Sequence, residues 1–217
     1  MANKNEDKEI LKELREITKT KENWGEVIDD VANKLNENHS VIVKAKILWL
    51  LGEMGLNYPK QVEAYIINIA FCLDDEHSKI RERAVNALGR IGRADKNLII
   101  PYFDKIMKMR KDQVDDVRLA FVWACENIAT NAPELFCERM DLFCEMIQDR
   151  GVRVRIEAPE MFRVMGKRKP QYVKPYLEKL QWFADNDTNP VVRIHSAGAI
   201  RTTKKALKES EDNATDD

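Results

Sequence analysis

The side chains best equipped for recognition or catalysis are two tryptophans, Trp49 and Trp123, with Glu53, Arg83, Asn86, Arg90 and Asn127 on neighbouring stretches. Tryptophan offers a large rigid apolar face and an N–H donor, so it serves as an anchor for a partner or a platform on which a base stacks. An acid, two arginines and two amides beside it would add polar specificity. The competing expectation is that each tryptophan packs on a neighbouring segment as an extension of the core, with the charges simply solvated. A second group, Arg163, Lys167, Arg168 and Lys169, puts four cations in seven residues. They follow the end of a helical pattern, where cations complement the helix dipole. They would also attract an anionic partner segment, or this chain's own acidic end.

Other chemistry has little to work with. His39, His77 and His195 are far apart in sequence, and only Glu76-His77 sets an acid beside one. Cys137 and Cys144 share a helical face without a third or fourth ligand. There is no Walker loop, no GxGxxG after a strand and no nucleophile elbow. Neither a metal nor a cofactor is expected. All four cysteines lie in hydrophobic patterns without a CxxC pair, which predicts reduced, packed thiols.

Of 217 residues, 44% are hydrophobic and 34% charged, with 8 Gly and 7 Pro, a composition that predicts a soluble, helix-rich protein with long solvated faces. Lys and Arg number 36 against 37 Asp and Glu, so no overall basic field points to nucleic acid. The balance hides a gradient, because residues 149–174 carry eight basic residues against three acids. From Glu209 onward the chain is acidic and lacks aromatics, which predicts disorder. The first 20 residues show no signal-peptide core, and no run of 18 apolar residues occurs, so a cytoplasmic location is expected.

What must position these residues is a repeat. Segments opening at Val43-Lys44, Ile80-Arg81, Val117-Arg118, Val154-Arg155 and Val192-Arg193 share apolar positions at helical spacing, and their basic residues fall 37, 37, 37 and 38 positions apart. Ile10, Leu11, Leu14 and Ile17 align with Ile47, Leu48, Leu51 and Met54, which predicts a capping half-repeat over 5–19. Between these segments runs a second helical pattern, opened by Pro59, Pro133 and Pro170 in one column, with Lys96 there once. The spacing predicts A helices over 23–36, 59–73, 96–110, 133–148 and 170–184. It predicts B helices over 40–54, 78–92, 114–129, 151–166 and 190–206. Pro159 predicts a kink or late start in the fourth B helix. Six positions before each basic residue stand Asn38, Asp75, Asp112, Asp149 and Asp187. A structural ladder is expected between these turns and the Lys44, Arg81, Arg118, Arg155 and Arg193 column.

The stretch from Ile80 to Gly92, with its acidic turn, its Val-Arg-like pair and its small residues closed by glycine, resembles HEAT repeats, particularly the phycobilisome-lyase-type HEAT-like subgroup. The resemblance spans about residues 23–206 and implies an all-α fold: a right-handed α-solenoid of about five HEAT-like two-helix repeats with an N-terminal capping helix. Residues 1–207 would form a single domain and 208–217 a disordered acidic tail. Gly52, Gly55, Gly89 and Gly92 close the first two copies, but Glu126 and Ala129 stand in the third and Arg201 and Lys204 in the fifth, so the later repeats are less regular.

With the basic residue as zero, columns −1, 3, 4, 7 and 10 of the B helices are overwhelmingly apolar, and columns 2, 5 and 9 face the other way. Trp49 and Trp123 share column 5. In such repeats the B helices are expected to line a concave partner-binding surface. The expected function is a non-catalytic scaffold or adaptor for a protein or extended peptide with acidic segments. The alternative is a nucleic-acid-binding solenoid similar to the HEAT-like alkylpurine DNA glycosylases, which hold a damaged nucleotide with tryptophans, a carboxylate and an arginine. Trp49, Trp123, Glu53 and Arg90 would take those parts. The acids Glu53, Glu157 and Glu160 and the near-zero net charge weigh against it. The several His-Glu pairs of HEAT-like deoxyhypusine hydroxylases are absent.

Overall fold

The helical patterns fold as helices in the computed structural model, which describes residues 4–215 and contains no strand among them. In chain order these are α1 (Lys4–Lys19), α2 (Trp24–Asn33), α3 (Val41–Asn57), α4 (Pro59–Val62), α5 (Ile66–Phe71), α6 (Ser78–Ala94) and α7 (Phe103–Lys108). There follow α8 (Asp115–Asn131), α9 (Met140–Met146), α10 (Val152–Arg168), α11 (Pro170–Val173), α12 (Leu177–Asn186) and α13 (Pro190–Thr215). The B helices are α3, α6, α8, α10 and α13, starting at residues 41, 78, 115, 152 and 190, so the sequence period is also the structural one.

Four of the five B helices, α6, α8, α10 and α13, start in the same way, whereas at α3 the Ser40 N–H donates to Asp7 of α1 at 3.2 Å. An aspartate accepts the amide N–H two residues on: His77 N to Asp75 at 2.8 Å, Val114 N to Asp112 at 2.9 Å, Gly151 N to Asp149 at 2.7 Å and Asn189 N to Asp187 at 2.8 Å. This Asx geometry turns the chain into the helix. The basic column then donates back to the backbone carbonyl of that same aspartate, Arg81 at 2.8 Å, Arg118 at 2.8 Å, Arg155 at 3.2 Å and Arg193 at 2.7 Å. Arg81 also forks onto the Asp112 carboxylate one repeat on, at 2.7 and 2.9 Å. The ladder is therefore structural, with the carbonyl as acceptor inside a repeat and the carboxylate between repeats.

The A elements depart from the continuous helices expected. Short 3₁₀ turns, Glu63–Tyr65, Ile100–Tyr102 and Lys174–Tyr176, interrupt or precede the α segments, and Pro133–Arg139 precedes α9. The break recurs in one column: Tyr65 (φ −104°), Tyr102 (φ −111°), Arg139 (φ −128°) and Tyr176 (φ −99°), with ψ between −3° and 10°. Pro101 and Pro175 lie in these turns and supply no N–H to continue a helix. Tyr65 and Tyr176 donate from their hydroxyls to Asp29 and Asp141 at 2.8 and 2.7 Å.

Two further expectations are corrected. Pro159 neither delays nor interrupts α10, which starts at Val152 and runs 17 residues like α3, α6 and α8. Pro159 is buried on the core stripe, where its ring fills space. The acidic end continues α13 to Thr215 rather than leaving it at 208, held by good helix formers, a Lys205–Glu209 pair at 3.7 Å and a Ser210 hydroxyl bond to Ala206 O at 2.8 Å. Residues 216 and 217 lie outside the described residues.

Compactness divides the chain into two units, Met1–Ala124 and Cys125–Asp217, with the boundary inside α8. In the first unit Leu14, Trp24, Ile28, Ile47, Leu48 and Leu51 are fully buried, and Trp24 donates its indole N–H to Ile17 O at 2.7 Å, fastening α1 to α2. B helices there meet through glycine. A Cβ on Gly52 would lie 2.8 Å from Ala87 Cα, and one on Gly89 2.5 Å from Ala124 Cα. In the second unit α10, α12 and α13 pack around Phe143, Phe162, Leu180 and Val192, with Phe162 against Tyr176 at 5.6 Å. Cys125 and Cys144 are buried and Cys72 and Cys137 half-buried, all as free thiols, with burial pushing Cys72 up to about 11.

Candidate functional site

Helix geometry sorts the B columns as the periodicity expects. Columns −1, 3, 7 and 10 are buried in all five helices, whereas columns 2, 5 and 9 are half-buried throughout except for Ala120, which is buried. Trp49, Glu53, Arg83, Asn86, Arg90, Trp123 and Asn127 are each half-buried. The face is a partly shielded surface, not a freely solvated one.

In the first unit, Lys46 lies over the Trp49 ring with its Nζ 4.0 Å from the centroid. Burial lowers the Lys46 pKa, and repulsion from Arg15 and Arg83 lowers it further. The two side chains border a hollow of about 400 Å³ floored by Val41, Ile42 and Ala45 and edged by Arg83. Ile42 is 69% exposed. One turn on, Glu53 is bound by Arg90, Nε to Oε1 at 2.7 Å, so this carboxylate is neutralised from the neighbouring helix. Lys79 pairs with Glu82 at 2.8 Å. What remains is an indole face, exposed aliphatic surface and the cation Lys46, with Arg83 held by Glu82 at a longer 3.9 Å.

The second unit presents a different face. Glu126, Glu157, Glu160 and His195 line a hollow of about 610 Å³ with Arg163 and Arg201. Arg163 pairs with Glu160. His195 Nδ1 lies 2.8 Å from Ile156 O, to which its N–H donates, and 3.4 Å from Glu160 Oε1. Burial, then repulsion by Glu157 and Glu160, pushes the Glu126 carboxyl up to about 9. Its Oε1 is buried and finds no hydrogen-bond partner among the described residues. Of these residues the sequence singled out only Arg163, as part of the basic cluster, although the signal for the others was present. Glu126, Arg163 and Arg201 occupy the column that is Gly52 and Gly89 in the first two copies, and all three line the hollow.

The basic cluster is only partly gathered. Arg163 and Lys167 join Lys205 around a second hollow of about 560 Å³ with Val164 and Ala206, Arg168 is exposed, and Lys169 is half-buried where α10 ends. Two exposed aromatics belong to A elements and went unremarked in the sequence: Trp182, 58% exposed, and Phe71, with Lys105 Nζ 5.6 Å from its ring. No three His, Cys, Asp or Glu side chains converge on a metal-sized point among the described residues, and no described helix is long and apolar enough to cross a membrane.

Comparison with known proteins gives a fold. No family model and no curated protein matches the chain. A designed armadillo repeat protein solved in complex with the peptide (KR)4 is similar at a TM-score of 0.63 and 17% identity, covering 88% of this chain and 86% of that one. A computationally designed armadillo repeat protein for modular peptide recognition matches at 0.56 and 17%, covering 79% and 80%. An engineered protein matches at 0.62 and 14%, covering 82% and 80%. At such identities the likeness is one of fold, so the chain has the all-α helical-repeat fold of the solenoid class. The phycobilisome-lyase-type subgroup finds no counterpart among these neighbours.

Proposed function

We propose that the protein is a non-catalytic scaffold that binds a protein or extended peptide along the B-helix columns 2, 5 and 9, with an acidic segment of the partner received in the first unit. One observation carries the reading. Trp49, Lys46, Arg83 and exposed Ile42 border an open hollow in which aromatic, aliphatic and cationic surface are side by side, and Glu53 is already neutralised by Arg90. An acidic segment with an apolar residue matches it: the carboxylate relieves the crowding of Lys46 by Arg15 and Arg83, and the apolar side chain covers Trp49. The peptide-bound state of one structural neighbour supports a binding role for this fold, although fold alone does not fix function. For a base-excision site, the pairing of Glu53 with Arg90 and the lysine over Trp49 weigh against the required free carboxylate and open indole.

Arg163, Lys167, exposed Arg168 and Lys205 favour nucleic acid as the second reading. Fluorescence anisotropy separates the two. Labelled acidic-aliphatic peptides, duplex DNA, single-stranded DNA and RNA are titrated at low and near-physiological salt with the parent, Trp49→Ala and Lys167→Glu/Lys205→Glu. The scaffold reading expects peptide binding that Trp49→Ala weakens at least tenfold and that outlasts the salt increase. Nucleic-acid binding that persists at the higher salt and is lost in the Lys167/Lys205 variant would replace it.

A further inference from the structure

The hollow of the second unit lies apart from the tryptophan pair and shares only Arg163 with the basic cluster expected from sequence. Its charges divide by position and by partner. On α10, Glu160 is paired with Arg163, whereas half-buried Glu157 has no ion pair among the described residues. On α8, Glu126 presents a buried, unpartnered Oε1. On α13, His195 is committed to Ile156 O, and Arg201 is exposed. Arg163 is occupied by Glu160 and half-exposed. The acceptors left unsatisfied are therefore Glu126 and Glu157, with hydrogen-bonding capacity and no donor.

A carboxyl with an orphan buried oxygen is disfavoured unless a donor reaches it. The volume, about 610 Å³, exceeds what one ion and its ligands fill, and no set of side chains converges on a metal-sized point among the described residues. An anion is disfavoured, since Arg163 and His195 already have acceptors and the remaining cation, Arg201, is exposed, whereas the unpaired groups that are half-buried are the acids Glu126 and Glu157. The remaining class is a flat or branched organic cation carrying several N–H donors, the form an arginine or lysine side chain provides.

We propose that this hollow receives one basic side chain of the partner peptide, seated between Glu126 and Glu157. The proposal rests on the scaffold reading and names what the second unit selects. It carries a proton signature. Glu126, pushed up to about 9 by burial and by Glu157 and Glu160, holds its proton at pH 7, and a cation seated beside it expels that proton to the solvent. The other groups facing it are Arg163 from α10, and His195 and Arg201 from α13, with Cys125 beside it on α8.

The test uses the full chain and four end-blocked, fluorescein-labelled hexapeptides: alternating Ser-Arg, the same peptide with citrulline for each arginine, alternating Ser-Glu, and alternating Leu-Glu. The Ser-Arg peptide is expected to bind at least tenfold more tightly than its citrulline analogue. Glu157→Gln and Glu126→Gln should each remove most of that difference while the melting temperature is kept. Calorimetry at pH 7 in phosphate and in Tris should show close to one proton released per Ser-Arg peptide by the parent and none by Glu126→Gln. Equal binding of arginine and citrulline peptides, indifference to both glutamate variants, or binding without proton release each overturns the assignment. Binding of the Leu-Glu peptide alone, sensitive to Trp49→Ala, would overturn this inference and leave the scaffold reading standing. Binding of none of the four would overturn both.

Discussion

The two units carry the same repeat period and end with opposite helix edges. In the first, column 8 of the B helix is Gly52 or Gly89, and the next helix presents Ala87 or Ala124 within 3 Å of where a Cβ would stand. In the second, the same column is Glu126, Arg163 and Arg201, and the edge opens onto a hollow of about 610 Å³. Glycine in that column brings the next helix onto its backbone in a close seam, whereas a charged side chain there lines the hollow; the second unit keeps its close approach one turn on, where a Cβ on Gly166 would lie 3.1 Å from Thr203 Cβ. The hollow of the second unit therefore lies where column 8 departs from glycine. The tryptophan hollow of the first unit shows the complement: with column 8 given to glycine, its lining comes from Lys46, Trp49 and Arg83 in the outward columns and from the first turns of α3 and α6.

The largest expected effect tests the seam itself. Gly89→Ala forces a methyl to 2.5 Å from Ala124 Cα and 2.7 Å from its Cβ, so two helix backbones must separate. The loss should reach or exceed the upper end of the roughly 1–3 kcal/mol typical of overpacking, read as a shifted urea midpoint at unchanged slope. Placing alanine in the same column of the second unit, Glu126→Ala, should be neutral or stabilising, since it removes an orphan buried acceptor. Equal losses at both positions would break the comparison.

Next comes the ladder, whose carbonyl bonds both units share and whose carboxylate fork is seen between Arg81 and Asp112 in the first. Arg81→Ala deletes a fork onto Asp112 and two bonds to the Asp75 and Glu76 carbonyls. A loss of about 2 kcal/mol is expected near neutral pH from bonds to a charged group. Burial raises the Asp112 pKa, but the Arg81 and Val114 hydrogen bonds outweigh it and the net shift is downward. A depressed carboxyl stabilises the fold above its ordinary value of 3.8 and loses that contribution as pH falls through its folded pKa. The difference between parent and Arg81→Ala should accordingly narrow in acid. A difference that stays constant down to pH 2 would show the arginine acting through its carbonyl bonds alone.

The third prediction sharpens the contrast through pH. Glu126 titrates near 9 when folded against an ordinary 4.5, so between those values the folded state holds a proton the unfolded chain has lost. Its contribution is fully present below about 4.5 and is lost as pH rises to about 9, with a slope of at most about 1.4 kcal/mol per pH unit. Urea titrations of parent and Glu126→Gln from pH 5 to 8 should diverge, with the variant gaining relative stability as pH rises. Parallel curves would place the Glu126 proton elsewhere.

Much of this was legible in the sequence, and what was not has identifiable causes. The period, the B-helix starts and the core stripe could be read because column identity repeats and a 100° rotation per residue fixes the buried side. The breaks in the A elements were hidden because Pro59, Pro133 and Pro170 read as helix starts and drew attention from Pro101 and Pro175, which mark the interruptions. The helical end of α13 was missed because acidic composition speaks to burial, and local i,i+4 pairing sustains a helix without it. Glu126 was noticed only as an irregularity. A lapse from glycine in column 8 reports a side chain at that edge, but which side chains gather beside it depends on three helices at once, and no single column shows that.

The smallest effect on stability should accompany the largest effect on binding in the first unit. Trp49 is half-buried, its ring covered on one side by Lys46 and open on the other to the hollow. Trp49→Ala removes a cation–π contact of about 0.5–1 kcal/mol and part of a buried area, so a total loss of about 1 kcal/mol is expected. A Trp–Lys pair that mattered mainly for folding would give a loss well above that, near the roughly 3–5 kcal/mol of a truncated core aromatic, and would make Trp49 an extension of the core. Trp49→Phe decides between the two outcomes. It retains most of the apolar contact and should restore stability fully, while peptide affinity recovers only in part, because the wider indole face and its N–H are what the open side of the hollow presents.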